Sequence, residues 1–327
     1  MISAQQRGWG WAAPPGGRGA VLAPHSEGGT QSDGAAHFRR APPRRAVTAK
    51  DALDGAITAF GAAGVETPRL DAEVLLAHIL GVDRARLTIA SGGGAADEEL
   101  TVGGPHVRPY QEAVRRRVVQ REPVAYITGV RGFRHLELGV DPRALIPRPE
   151  TELLVEVGLR LPRGSSVLDV GTGSGAVALA LKDERPDLRI TGSDVSERAL
   201  ELARANAAKL RLKVTWMHVD LLEGMPEEFD ALLCNPPYVA ESERAMLAPE
   251  ILRHEPPDAL FAGADGLDTI RALLAQLAPR ERVRMAALEV GAGQAHAVGE
   301  LMRATGFPFV RAERDLAGIE RVVVGTR

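Results

Sequence analysis

Apolar residues recur at helical spacing once the chain passes Val47. Ala52, Leu53, Ala56, Ile57 and Phe60 share one face, with Thr48 placed to cap the start and Gly61 and Gly64 placed to end the helix. Pro68 opens a second helix with Leu70, Val74, Leu75 and Ile79 on one side, and Gly81 stops it. Asp83 is placed to cap a short helix through Leu87. A glycine-rich loop follows at 91–94 and 103–104, and then a last helix over roughly 109–121 carrying Val114, Val118 and Val119. The pattern predicts a small helical domain over residues 47–122, with no catalytic constellation in it.

The period then changes. Val124, Tyr126 and Thr128, followed by Phe133, Leu136, Leu138 and Val140, alternate in strand fashion around Gly129 and Gly132, which predicts a β-hairpin linker across 123–145. From 146 to 327 helical and strand patterns alternate. Strands are predicted near 166–170, 188–193, 213–217, 229–234, 283–290, 307–311 and 319–325. Helices between most of them predict an α/β domain with a doubly wound, mainly parallel sheet.

Residues 1–46 stand apart. They are rich in Gly, Pro, Ala and Arg, have no apolar period, and are expected to be a disordered extension or the product of a start codon placed too early. Their arginine-rich, acid-poor start is only a faint likeness to an organelle transit peptide. The 327 residues suit one large domain and a smaller one. Net charge is −3, yet residues 1–46 hold six arginines against Glu27 and Asp33. The remainder is therefore more acidic than the whole, a poor electrostatic match for a DNA backbone, so direct nucleic-acid binding is not expected. The only cysteine, Cys234, lies in an apolar run, which leaves no disulfide framework or multi-cysteine zinc cluster and points to a reducing, cytoplasmic setting. No metal-ligand spacing stands out, and no stretch approaches the roughly 20 apolar residues of a membrane-spanning helix.

Chemistry concentrates in two places. Ser166-Val167-Leu168-Asp169-Val170 reads as a strand, and Gly171, Thr172, Gly173, Ser174 and Gly175 form a turn into a helix. Glycines there let the backbone approach a ligand closely. Asp194 ends the next strand 23 positions beyond Gly171, near the roughly 20 expected of an acid that grips ribose hydroxyls. The turn has the form Gly-x-Gly-x-Gly, without the spacing typical of dinucleotide sites, and this favours S-adenosylmethionine, which has no pyrophosphate to seat. Asp220 and Leu221 follow the third strand. Asp220 is placed to accept an adenine amino group with Leu221 on the ring, or simply to cap a helix.

The second place is Asn235-Pro236-Pro237-Tyr238, at the carboxyl edge of the fourth strand, where α/β sheets bind ligands. An amide nitrogen is a poor nucleophile because its lone pair is delocalised into the carbonyl. The Asn235 side-chain oxygen and the Pro236 carbonyl are suited to accept both of its N–H bonds and aim the lone pair at a methyl carbon. Pro236 and Pro237 remove competing backbone donors, and Tyr238 offers a flat face. The expected reaction is methyl transfer from S-adenosylmethionine to a planar, amide-like nitrogen.

The chain resembles the HemK-like peptide chain release factor N5-glutamine methyltransferases from about residue 47 to 327. The resemblance rests on Arg121-Glu122-Pro123-Val124-Ala125-Tyr126-Ile127-Thr128-Gly129, on Leu145-Ile146-Pro147-Arg148-Pro149-Glu150-Thr151-Glu152, on the glycine turn and on the tetrad with Val239. His254-Glu255-Pro256-Pro257-Asp258-Ala259-Leu260, Asp265-Gly266-Leu267-Asp268 and Arg314-Asp315-Leu316-Ala317-Gly318 complete it. It implies a seven-stranded Rossmann-like methyltransferase sheet. It implies as substrate the glutamine of the Gly-Gly-Gln tripeptide of class 1 release factors. Gly171 to Gly175, Asp194 and Leu221 would line the cofactor site, and Asn235 to Tyr238 would hold the glutamine. Phe133, Arg148 and Glu150 would lie near the mouth, although Arg148 and Glu150 suit a salt bridge at a helix start and Phe133 suits the hairpin core. The aromatic that often follows Phe133 in the family is absent, Leu221 stands where relatives often have an aromatic, and residues 1–46 have no counterpart.

Three other readings share parts of this pattern. An adenine-N6 DNA methyltransferase would share the tetrad but would need a basic face and a target-recognition domain. A ribosomal-protein glutamine methyltransferase would carry Pro-Arg-Ser-Pro where this chain has Pro147-Arg148-Pro149-Glu150. A non-catalytic cofactor-binding scaffold would have no use for an intact tetrad.

Overall fold

The structure is a computed structural model that describes residues 47–91, 101–226 and 229–327, so the extension over 1–46 and the glycines at 92–94 lie outside the described residues. Strand β1 (Val47–Thr48) leads into α1 (Ala49–Ala62), where the Thr48 hydroxyl oxygen accepts the Asp51 N–H at 3.0 Å. Helix α2 (Pro68–Leu80) has its proline in the first turn and ends at Gly81 in the left-handed conformation, φ 65°. The face it buries is turned from the predicted one: Ala72, Leu75 and Leu76 are buried while Leu70 is exposed. Asp83 accepts the Ala85 N–H ahead of α3 (Arg84–Ser91). Strand β2 (Thr101–Val102), absent from the sequence-based expectation, pairs antiparallel with β1. Helix α4 (Val107–Arg115) begins before the expected start and runs into a π-helical turn, Arg116–Gln120. Leu53, Phe60, Leu75, Leu76, Leu87 and Tyr110 form the core of this helical region.

Arg117 lies in the π turn and is buried. It reaches Asp71 at 2.7 Å and Glu250 at 2.6 Å, and so ties the helical region to the segment beyond the tetrad. Arg121 also bonds Glu250, at 2.7 Å.

The expected hairpin needs one correction. Val124–Thr128 is a short helix, α5, started by Pro123 and stopped by Gly129 at φ 72°. Val124 and Ile127 pack on the helical-region core, whereas Tyr126 packs with Val140 and Ile146. Over five residues an apolar alternation does not separate strand from helix, and proline followed by glycine decided it. The hairpin itself is β3 (Val130–Phe133) paired with β4 (Leu136–Gly139).

The larger region contains α6 (Glu152–Leu159), β5 (Ser166–Val170), α7 (Ala176–Glu184), β6 (Arg189–Asp194), α8 (Glu197–Leu210), β7 (Thr215–His218) and β8 (Ala231–Cys234). It continues with α9 (Pro249–His254), α10 (Asp268–Leu277), β9 (Met285–Glu289), α11 (Ala295–Ala304), β10 (Phe309–Arg314) and β11 (Glu320–Thr326). The seven-stranded sheet has the order β10-β11-β9-β8-β5-β6-β7, with β11 antiparallel to both neighbours and the pairs from β9 to β7 parallel. Consecutive residues face opposite cores: Leu168, Leu232 and Leu288 pack in one, Val167, Leu233 and Ala287 in the other. Both faces are covered, so the central strands read as near-continuous apolar runs. Strand order reverses at β5, and ligands of such sheets bind at the carboxyl ends beside that reversal.

Arg117→Met would leave buried Asp71 and partly buried Glu250 without their shared cation. We expect a loss of about 3–5 kcal/mol, toward the lower end because Arg121 still serves Glu250, measured by urea unfolding. Wild-type stability in this variant would contradict the tie between the two regions.

Candidate active site

The glycine turn and the tetrad leave adjacent strands. In the parallel pairing of β5 with β8, Val170 stands opposite Cys234, so Gly171 and Asn235 are the next residues out of the sheet. A Cβ built on Gly171 would lie 4.0 Å from the Asn235 carbonyl oxygen. Gly171, Gly173 and Gly175 have φ of 67°, 56° and 84°. Gly175 has no room for a side chain: a Cβ there would lie 3.0 Å from Leu179 and 3.1 Å from Trp216.

Thr172 and Ser174 turn into the scaffold. The Thr172 hydroxyl donates to Asp169 at 2.6 Å, and its N–H donates to the Ser193 carbonyl. Ser174 is buried, and its carbonyl accepts from Asn206, which also bonds both backbone groups of Gly139. Asn206 therefore ties α8, the hairpin and the glycine turn together. Asp169 is buried and accepts from Thr172 and from the Ala178 N–H. Burial pushes its pKa up to about 7 against those two donors, with the negative charge of Asp194 adding to the rise.

Asp194 accepts the Gly173 N–H at 2.9 Å and the Ser196 N–H at 2.8 Å, and burial pushes its pKa up. Each carboxylate oxygen has two lone pairs, so this acid retains acceptor capacity for a diol. Val219 donates its N–H to the Asp194 carbonyl, which sets the end of β7 beside it. Asp220 follows, exposed, and starts a turn rather than a helix, because Leu221 takes φ 49° and the Glu223 N–H closes onto the Asp220 carbonyl. The helix-cap reading of Asp220 is thus corrected. Leu221 is half-buried against the core.

In the tetrad, the Asn235 side chain donates from Nδ2 to Thr151 Oγ1 at 3.1 Å. Thr151 is buried at the end of a 3-10 turn, Pro149–Thr151, which is what the Arg148–Glu150 segment delivers. Pro236 is buried and Pro237 half-buried. The Tyr238 hydroxyl donates to Glu289 at 3.4 Å, and its carbonyl accepts from Gln294 at 3.0 Å. A Cβ on Gly266 would stand 2.2 Å from that carbonyl oxygen, so the loop that closes over Tyr238 requires glycine there. Glu289, at the carboxyl end of β9, is 1 % exposed. Burial raises its pKa to about 7, the hydroxyls of Thr151 and Tyr238 oppose the rise, Glu150 adds to it and Arg321 opposes it. Cys234 is buried in the core, with its thiol pushed well above the ordinary range by that burial.

The expected mouth residues divide. Phe133 is 1 % exposed and packs with Leu136, Leu138 and Leu154, so it is hairpin core and not a wall of the site; the strand alternation that leaves Gly132 exposed turns it in. Arg148 pairs with Glu255 at 2.5 Å, not with Glu150, and buried Glu255 also accepts the Ile146 N–H. Glu150 is half-buried and acts electrostatically on Glu289. Asp169, Thr151, Asn206, Glu289 and Gln294 were not singled out in the sequence. Glu289 left a signal there, as the one acid ending the apolar strand Met285–Glu289.

Known proteins share both regions. The family model described as the PrmC N-terminal domain matches residues 51–129, and the one described as the methyltransferase small domain matches 149–264. The chain is 40 % identical over 291 residues to the release factor glutamine methyltransferase of Koribacter versatilis, covering 86 % of this chain and 99 % of that one. It is 39 % identical over 285 residues to that of Mycolicibacterium smegmatis, covering 85 % and 97 %. Among solved structures, the release factor-specific protein-(glutamine-N5) methyltransferase of Alicyclobacillus acidocaldarius is 32 % identical, with 58 % of this chain and 99 % of that one covered and a TM-score of 0.35.

Asp169 gives a pH signature. Its carboxyl titrates at about 7 when folded and near 3.8 when unfolded, so the folded state holds the extra proton between those values. The contribution is complete below about pH 4 and is lost as pH rises to about 7, at most about 4 kcal/mol. Glu289 adds a similar share. Asp169→Asn is expected to remove roughly half of the stability decline across that window in urea titrations. An unaltered decline would mean that Asp169 is ionised throughout.

Proposed function

The chain belongs to the release factor glutamine methyltransferases, and we propose that it methylates its substrate glutamine in the crevice between Gly171–Gly175 and Asn235–Tyr238. The enzyme is an S-adenosylmethionine-dependent protein-(glutamine-N5) methyltransferase. The observation that carries the assignment of the site is the 4.0 Å approach of the Gly171 Cβ position to the Asn235 carbonyl, which brings a bare backbone turn against the tetrad. The residues fit the cofactor: three glycines in the left-handed region leave the turn open, and Asp194 offers unused lone pairs at the strand end. Bound there, S-adenosylmethionine supplies a methyl group on a positively charged sulfur.

The chain's own residues hold the other reactant. Asn235 gives its N–H to Thr151 and keeps its side-chain oxygen as an acceptor for one amide N–H of the glutamine. The Pro236 carbonyl accepts the second, and Pro237 has no N–H to compete for it. Tyr238, fixed by Glu289 at one end and Gln294 at the other, lies along the amide plane. Held this way, the nitrogen would turn its lone pair toward the methyl carbon that S-adenosylmethionine supplies; the new C–N bond would replace the C–S bond, and the released N–H proton would pass to water. Positioning of this kind lowers a barrier by up to roughly 7–11 kcal/mol, which makes it the main contribution here.

The substrate in this reading is the glutamine of the Gly-Gly-Gln tripeptide in class 1 release factors, a protein partner of the cytoplasm recognised without direct nucleic-acid contact. The helical domain and hairpin would grip the release factor, supported by the tie that Arg117 makes between that domain and the segment after the tetrad. Mass spectrometry of release factors incubated with the enzyme and labelled cofactor is expected to show one methyl on the tripeptide glutamine. Asn235→Ala should lower turnover about 100-fold or more while cofactor binding persists. Methylation of DNA or of a ribosomal protein instead, or full turnover by Asn235→Ala, would defeat the assignment.

A further inference from the structure

The hairpin from β10 to β11 ends in a tip that the reaction, as derived above, leaves without a task. Asp315 builds its turn. The Asp315 N–H donates to the Ile319 carbonyl, its carbonyl accepts the Gly318 N–H, and its side chain accepts the N–H groups of Ala317 and Ile319, each at 2.9 Å. Gly318 takes φ 80°, the left-handed position of a three-residue hairpin loop. Arg321 holds the Asp315 carboxylate at 3.0 Å, and Arg314 donates to the Gly318 carbonyl at 2.8 Å. The turn therefore depends on Asp315 and Gly318. None of these bonds involves Leu316, whose side chain is fully exposed.

We propose that this tip is a docking surface for the protein substrate: Leu316 and Ile319 receive an apolar stretch of the release factor chain where it leaves the crevice beside the glutamine. The inference rests on the reading of the tetrad as the glutamine site. It adds a contact to those assigned above to the helical domain and the first hairpin.

Leu316, Ala317, Gly318 and Ile319 are consecutive and all exposed. Hairpin tips ordinarily carry polar turn formers. A single exposed apolar residue is common, but an exposed run with no polar side chain invites association and is retained where it serves a contact. Among the described residues, no other turn exposes two large apolar side chains.

The tip also stands at the right edge of the sheet. Strand β11 runs antiparallel to β9 with Val322 opposite Glu289, and the Val290 N–H donates to the Arg321 carbonyl at 2.8 Å. The residue after Val290 is Gly291, whose Cβ position lies 3.3 Å from the Tyr238 ring. The tip joins β11 just before Arg321, so it leaves the sheet at the same edge as the tetrad. Only β9 lies between β11 and β8. The base of the tip is therefore about 10 Å to the side of the tetrad strand, a span of about three extended residues. A chain whose glutamine enters the crevice reaches the tip within a few residues, and the bonded turn has little freedom to lose on meeting it.

The test uses the full chain and a purified class 1 release factor at saturating S-adenosylmethionine. Leu316→Ser should raise the KM for the release factor roughly tenfold or more, with kcat and the KM for cofactor close to wild type. Leu316→Met, which keeps an apolar side chain, should keep the wild-type KM. Phe309→Ser is the control: Phe309 is an exposed apolar residue of the same hairpin, but it pairs with Thr326 at the opposite edge of the sheet, and its loss should leave the KM alone. Titrating the release factor into each variant without cofactor should give the same order of affinities. Independently of rates, a photoreactive benzoylphenylalanine in place of Leu316 should crosslink to the release factor within several residues of its glutamine. A wild-type KM in Leu316→Ser, an equal rise in Phe309→Ser, or crosslinks confined to a distant surface would overturn the proposal. So would a dimer abolished by Leu316→Ser with the KM unchanged, which would assign the tip to a second copy of the chain. Seen with a wild type that methylates the release factor, these outcomes defeat the docking alone. A wild type that neither binds nor methylates one defeats the functional reading and the docking together.

Discussion

The parallel pairing of β5 with β8 is the constraint from which the site follows. Neighbouring strands lie about 5 Å apart, and Val170 stands opposite Cys234 in the register. Whatever leaves the ends of these two strands must therefore meet. Here it is a turn stripped of side chains on one side and a rigid Asn-Pro-Pro-Tyr turn on the other. Sliding the register by one residue would exchange the two cores, because Leu232 and Leu233 face opposite layers. The apolar packing on both faces thus fixes the meeting point of the two motifs.

Around that point the protein buries acids in supporting positions. Asp169 braces the glycine turn through Thr172 and Ala178, Glu255 holds Ile146 and Arg148, and Glu289 stands behind Thr151 and Tyr238. Glu255 is paired with a guanidinium. Burial penalises the charged forms of Asp169 and Glu289, which are pushed up to about 7. The same arrangement that stiffens the site thereby makes it responsive to proton concentration.

The helical region connects to this site by charge as well as by chain. Arg117 projects from a π turn to Asp71 on one side and Glu250 on the other, and Glu250 opens the helix that ends next to Glu255.

Much of this was legible in the residues alone. The seven strands fall within a few residues of where apolar runs place them, Thr48, Pro68 and Gly81 bound their helices as their chemistry requires, and the two motifs sit at strand ends. These features are local: periodicity, caps and glycine conformations are properties of a short stretch of chain. What the tertiary structure decided is partnership across long separations. Val124 and Ile127 joined one core and Tyr126 another, Phe133 went inward, and Arg148 paired with a residue 107 positions away. Glu289 became a neighbour of Asn235 only through the sheet. A sequence states which groups a chain carries and how each stretch prefers to bend, but the burial and opposing charges that set a group's proton affinity arise only when distant segments pack together.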